Sequence, residues 1–303
     1  MSHNRQWILA VACIILLLAT PACTRREQTP AAASAAPAAG RLGPGDYVET
    51  MVSGGFDRQY RLHVPASYRP ETPIPLVLSL HGYNSNAAQQ ESVSRFSAKA
   101  DQAGFVAAYP EGLGDPQSWR FGDSAEGQAD VDFILTLVRS LQSRLSIDPA
   151  RVYVSGISNG AEMSYRLMCD AADTFAAAGL VSGGYPPWQD CVPARPVPVV
   201  AFHGTADRLL PYEGQPPVFL AVHDWAAQWA ALNGCAATPA ITFSQDDVTG
   251  ETWSGCRSGA DVVLYTVKGK GHSWPGSSMP ANITTQAISA TDVMWEFFAA
   301  HPR

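Results

Sequence analysis

Along most of the chain, short apolar runs alternate with longer stretches in which apolar residues recur every three or four positions. Residues 75–80, 105–109, 152–155, 197–202 and 262–267 are runs of Val, Leu, Ala and Phe, several with almost no polar interruption. A strand of a parallel sheet covered on both faces must be apolar on both sides, and these runs meet that requirement. Residues 60–64 alternate instead, as an exposed strand does. Between the runs, residues 89–103, 130–145, 159–169, 223–233 and 288–300 carry helical spacing. Strand and helix in turn predict an α/β fold, a mostly parallel central sheet with helices on both faces. In such sheets the reactive groups gather beyond the carboxyl ends of the strands.

Two stretches at the start fall outside this pattern. Arg5 precedes the apolar run Trp7 to Ala19, which is too short for an ordinary membrane span and is followed by small residues. This predicts a signal peptide over residues 1–22 and a protein exported from the cytoplasm. From Thr29 to Gly45 the chain is almost entirely small residues and proline, a composition that cannot bury enough surface to order itself. Residues 23–45 are therefore expected to be a linker and residues 46–303 one domain. At 303 residues, 46% hydrophobic and 16% charged, the chain can bury a sizeable core. Its net charge of -7 and its scattered Lys and Arg residues leave no basic footprint for a nucleic acid.

The cysteines follow from export. Cys13 departs with the signal, and Cys169, Cys191, Cys235 and Cys256 form an even set in an oxidising compartment. Four cysteines allow three connectivities; the pairing Cys169 to Cys191 and Cys235 to Cys256 closes two short loops and is the one expected. Cys23 follows Thr20-Pro21-Ala22, where a bacterial lipoprotein carries its lipidated cysteine, although Thr20 stands in place of the usual Leu. A lipid anchor at Cys23 and plain signal cleavage both remain open. No His and Cys spacing suits a metal, and neither metal nor cofactor is expected.

The chemistry concentrates at strand ends. Gly156-Ile157-Ser158-Asn159-Gly160 lies between a strand and a helix, where the glycines permit a sharp turn that exposes the Ser158 hydroxyl. A serine hydroxyl needs a base, and imidazole has the right pKa. His272, in Lys270-Gly271-His272-Ser273-Trp274-Pro275-Gly276, follows the strand at 262–267 and is favoured over His203, His223 and His301. Asp207, in His203-Gly204-Thr205-Ala206-Asp207, follows the strand at 197–202 and would orient the imidazole. Asp224, Asp246 and Asp247 are less well placed. An oxyanion needs backbone donors: Tyr83, in Leu80-His81-Gly82-Tyr83-Asn84, and Asn159, the residue after the nucleophile, supply them. Trp119, Trp188 and Trp274 are candidate pocket walls, with plain packing as the alternative. Asp130 and Asp132 read as carboxylates favoured at a helix N-terminus.

Leu80-His81-Gly82, Ala108-Tyr109-Pro110-Glu111-Gly112, Asp130-Val131-Asp132-Phe133-Ile134, Arg151 to Gly160, His203 to Asp207 and Gly271 to Gly276 occur in this order. With them the chain resembles the polyhydroxybutyrate depolymerase and feruloyl esterase group of α/β-hydrolases, which is related to carbohydrate esterases. The resemblance implies the α/β-hydrolase fold and the same Ser158, Asp207 and His272. Ala161 stands where many members carry a further glycine. The resemblance leaves the substrate open, because members of the group cleave different esters; a feruloyl or related carbohydrate ester, derived from plant polysaccharide, is the expectation, with hydroxybutyrate oligomers as the alternative. An acyltransferase, a serine peptidase and a non-catalytic binding protein are weaker readings.

Overall fold

The computed structural model describes residues 40–187 and 191–303. The expected signal peptide, Cys23, most of the expected linker and Trp188 lie outside the described residues. Described in chain order, the elements are β1 (Gly45–Ser53), β2 (Phe56–Val64), β3 (Ile74–Leu80), α1 (Ala87–Ser94), α2 (Phe96–Ala103) and β4 (Val106–Pro110). There follow α3 (Ala125–Arg144), β5 (Ile147–Ile157), α4 (Asn159–Asp170), β6 (Ala177–Val181), β7 (Val199–Gly204) and α5 (Val222–Asn233). The last are β8 (Ala240–Gln245), β9 (Val248–Trp253), β10 (Val262–Val267) and α6 (Ala290–Ala300).

The strands form one sheet in the order β1-β2-β4-β3-β5-β6-β7-β10-β9-β8. From β4 to β10 every neighbour is parallel, and antiparallel strands close both edges. The apolar runs are explained by burial on both faces. Leu76, Leu78, Val152, Val154, Val199 and Ala201 point to one side, where α3, α4 and α5 pack. Val77, Tyr153, Val200 and Phe202 point to the other, against α2 and α6. Strand β2 alternates as expected, with Tyr60, Leu62 and Val64 buried and their neighbours more exposed.

Three features depart from the sequence expectation. The helix expected over residues 89–103 is two helices, broken at Arg95, which adopts left-handed backbone with φ 57° and ends α1. Helix α3 starts at Ala125, where the Ser124 hydroxyl accepts the Gly127 N–H, so Asp130 stands in its second turn rather than at its start. Asp130 is buried, and its carboxylate binds the Arg58 guanidinium at 2.7 Å and accepts the Arg120 N–H at 2.8 Å. Strands β1, β6, β8 and β9 have no counterpart in the sequence expectation. At the N-terminal side, Leu42 already packs on the core and its N–H binds Arg144 O, a few residues before the expected boundary at Asp46.

The disulfides are Cys169–Cys191 and Cys235–Cys256, as expected. The first ties the last turn of α4 to the segment before β7. The second joins the segment after α5 to the one after β9.

Candidate active site

Ser158 follows β5 directly and caps α4 with φ 56° and ψ -125°, a conformation L-residues rarely adopt. The close approach behind this turn excludes side chains at two positions. A Cβ on Gly156 would lie 2.3 Å from Gly160 O, and one on Gly160 would lie 2.3 Å from Leu80 O. Strand β5, helix α4 and the end of β3 are thereby pressed together, and Ser158 is held at the crest. A Cβ on Gly82 would stand 3.4 Å from Ser158 Cβ, so the loop after β3 lies against the serine.

Asp207 and His272 come from the loops after β7 and β10, two adjacent parallel strands. The His272 Nδ1–H donates to Asp207 Oδ2 at 2.7 Å. Asp207 Oδ1 accepts the N–H groups of Leu209 at 2.9 Å and Leu210 at 3.0 Å, so the carboxylate is fixed at both oxygens. Burial opposes its ionisation, but the bond to His272, the Leu210 N–H and the histidines nearby outweigh this and hold the carboxyl below the usual aspartate range. With Nδ1 committed to Asp207, Nε2 is the nitrogen left for a proton from serine. Among the described residues Ser158 Oγ makes no hydrogen bond to His272; bonds of this kind often tighten only on substrate binding.

His203 is also part of this corner. Its Nε2–H donates to Leu210 O at 2.8 Å and lies 3.5 Å from Asp207 Oδ2, which braces the turn that holds the carboxylate. Burial lowers its pKa and keeps it neutral. His81 is fully buried and likewise pushed down by burial; its Nε2 accepts the Gly112 N–H at 2.9 Å, leaving Nδ1–H for Gly82 O at 2.7 Å. Both histidines are braces of loops.

Tyr83 lies in the loop after β3, and Asn159 directly follows Ser158 as the first residue of α4. Among the described residues neither backbone N–H has a hydrogen-bond acceptor. The side chains differ, since Tyr83 is 62% exposed at the rim whereas Asn159 is buried. Trp119 and Trp274, the expected pocket walls, are enclosed at 2% and 1% exposure. Trp119 Nε1–H donates to His81 O at 3.0 Å, and Trp274 Nε1–H donates to Thr291 Oγ1 at 3.0 Å while its ring meets Phe96 edge-on. Trp274 borders a cavity of about 190 Å³ that Arg95, Lys99 and Asp292 also line, and none of Ser158, Asp207 or His272 does.

Sequence reasoning missed Glu162, in the first turn of α4 and 5% exposed. Its Oε2 accepts the Asn159 Nδ2–H at 3.2 Å. Burial pushes its carboxyl up to about 7, against the opposing effects of Asn159, the Gly184 N–H and His272. The one signal in the sequence is an acid in the first turn of a helix whose residues around it are largely apolar or small.

Residues 58–186 match the family described as esterase PHB depolymerase. Feruloyl esterase B of Piromyces equi is 29% identical over 235 residues, which cover 71% of this chain and 42% of that protein. The chain therefore spans less than half the length of this relative. NocK of Nocardia uniformis subsp. tsuyamanensis, an esterase by description, is 31% identical over 279 residues, covering 82% of this chain and 80% of that protein. Among solved structures, the acetyl xylan esterase from Aspergillus awamori superposes with a TM-score of 0.63 at 16% identity, over 84% of this chain and 99% of that one. That likeness shows the α/β-hydrolase fold. With the fold, the ordered motifs and these relatives in agreement, the chain belongs to the PHB depolymerase family of esterases.

Proposed function

We propose that the chain is an exported serine carboxylic-ester hydrolase that works through an acyl-enzyme and acts on feruloyl or related carbohydrate esters. The observation that carries the reading is the Asp207–His272 bond of 2.7 Å at the same edge of the parallel strands as a serine held in a strained strand-to-helix turn. His272 Nε2 takes the Ser158 proton as Oγ attacks the ester carbonyl, and Asp207 stabilises the imidazolium. The N–H groups of Tyr83 and Asn159 receive the oxyanion, aided by the N-terminus of α4. The alcohol departs with the proton from His272, and water releases the acid by the same route.

The feruloyl relative supports the carbohydrate-ester reading, and the family's description supports hydroxyalkanoate oligomers as the second. The two disulfides support an oxidising compartment, hence export. The test is hydrolysis of methyl ferulate, acetylated xylan oligomers and hydroxybutyrate oligomers by the full chain and by Ser158→Ala. The expected result is turnover of methyl ferulate and a loss of at least about 10⁴-fold in kcat for folded Ser158→Ala. Near wild-type turnover by folded Ser158→Ala would overturn the mechanism. Exclusive turnover of hydroxybutyrate oligomers would select the second substrate.

A further inference from the structure

The proposed oxyanion donors come from different parts of the chain, Tyr83 from the loop after β3 and Asn159 from the first residue of α4, leaving a gap beyond the last ladder pair of β3 and β5, Leu80 with Gly156. A buried chain of side-chain hydrogen bonds spans this gap. The Asn159 amide is held on both atoms by the backbone of Trp119: Oδ1 accepts the Trp119 N–H at 2.6 Å, and Nδ2–H donates to Trp119 O at 3.0 Å. The Trp119 indole donates to His81 O at 3.0 Å, and His81 is fixed in turn by Gly82 O and the Gly112 N–H. The far end of the chain is Glu162, which takes the second hydrogen of Asn159 Nδ2 at 3.2 Å.

We infer that Glu162 is a positioning residue for the oxyanion hole: its carboxylate clamps the Asn159 amide and, through Trp119 and His81, sets the Asn159 and Tyr83 N–H groups relative to each other. This rests on the esterase reading of the site. Geometry beyond the hydrogen bond supports it. The carboxylate is wedged against the loop after β6, where a Cβ on Gly184 would lie 2.7 Å from Glu162 Oε1 and 2.8 Å from Phe219 Cε1. The absence of a Cβ at Gly184 leaves room for the Glu162 carboxylate. A buried carboxylate one turn from the nucleophile is also a costly choice where an apolar residue would pack, unless the charge has work at the site.

The groups facing Glu162 are few. On its own helix they are Asn159 and, one turn on, Arg166, whose guanidinium is taken by Asp170 and by Phe121 O and Gly122 O. From the loop after β6 come the Gly184 N–H and the buried Tyr185 phenol, and from the loop after β10 comes His272. The ionised form makes the stronger bond to Asn159 and faces the imidazolium that forms during catalysis. Its carboxyl ionises at about 7, so the clamp tightens across neutral pH.

The experiment compares the full chain with Glu162→Leu, Glu162→Gln and Ser158→Ala on 4-nitrophenyl acetate, with circular dichroism as a check of folding. Glu162→Leu is expected to lower kcat on the order of 10- to 100-fold and to leave KM within about threefold, because an oxyanion donor that is misplaced is felt in the transition state. Glu162→Gln keeps a neutral acceptor for Asn159, as the protonated acid does, and is expected to have a kcat between those of Glu162→Leu and wild type at pH 8. Wild-type kcat should carry a second ionisation, at about 7, that the Glu162→Gln profile lacks. Folded Glu162→Leu with wild-type kcat would overturn the inference. If Glu162→Leu does not fold, a Glu162→Gln pH profile superimposable on wild type overturns it, and loss of the second ionisation supports it. An active Ser158→Ala would instead overturn the esterase mechanism, so the two failures are distinct.

Discussion

Asp207 accepts hydrogen bonds at both oxygens, and all of its donors would meet an amide differently. In Asp207→Asn the side chain must present either its oxygen or its NH₂ to His272 Nδ1, and the NH₂ would force the proton onto Nε2, where it blocks transfer from serine. The expected outcome is a fall in kcat of about 10⁴-fold with folding retained, measured by burst and steady-state kinetics on 4-nitrophenyl acetate. Glu162 makes the opposite kind of prediction, about stability. Folded Glu162 keeps its proton up to about 7, whereas the ordinary value is 4.5. Between these values the folded state binds more protons than the unfolded one. The contribution of Glu162 is therefore fully present below about 4.5 and is lost as pH rises through 7. The loss is on the order of 3 kcal/mol. Urea titrations at pH 5 and pH 8 should show this decline in wild type and a much smaller one in Glu162→Gln. The sharp turn at Ser158 and the approach of His272 to Asp207 were legible in the sequence because each residue follows an apolar run with glycine in the turn. Glu162 was not, because its role depends on contacts with Trp119 and Gly184 that no local spacing encodes.

At the scale of elements, what was legible followed burial. Strands covered on both faces announce themselves as apolar runs, and β3, β5, β7 and β10 were found within a few residues of their ends. The omissions have physical causes that differ from strand to strand. Strand β8 reads Ala-Ile-Thr-Phe-Ser-Gln with most positions exposed at the sheet's edge, and β6 reads Ala-Ala-Gly-Leu-Val, too short and small to stand out. The break between α1 and α2 was hidden for another reason: Arg95 occupies a left-handed position that glycine ordinarily takes at a helix end. Its side chain is exposed, so little packing is at stake. Arg95→Gly should accordingly raise stability by about 1 kcal/mol, seen as a rise in Tm of about 2 °C. The elbow responds oppositely to a gained methyl. Gly160→Ala would drive a Cβ against Leu80 O and His81 O, and it should cost on the order of 2 kcal/mol or more, together with kcat, since the same contact seats the Tyr83 loop.

For the whole molecule, the two disulfides close loops of comparable length, with sequence separations of 22 and 21. Each constrains the unfolded chain by roughly 3 kcal/mol. Replacing Cys235 and Cys256 together by Ser should lower stability by about that amount while leaving kcat near wild type, because the bridge lies on the α5 and β9 side, away from the elbow; chemical denaturation and a parallel esterase assay check both halves. The ends of the domain have a consequence of their own. Leu42 N–H is bonded to Arg144 O, just before β5 begins, and Arg303 N–H to Ala150 O, near the foot of the same strand. Ser158 stands at the head of that strand, about 25 Å away at 3.3 Å per residue. Leu42 and Arg303 thus both lie at the foot of β5, at the pole opposite Ser158. A bead or a sensor surface coupled beside either residue would hold the protein with Ser158 turned outward, so immobilisation there should leave esterase turnover unchanged.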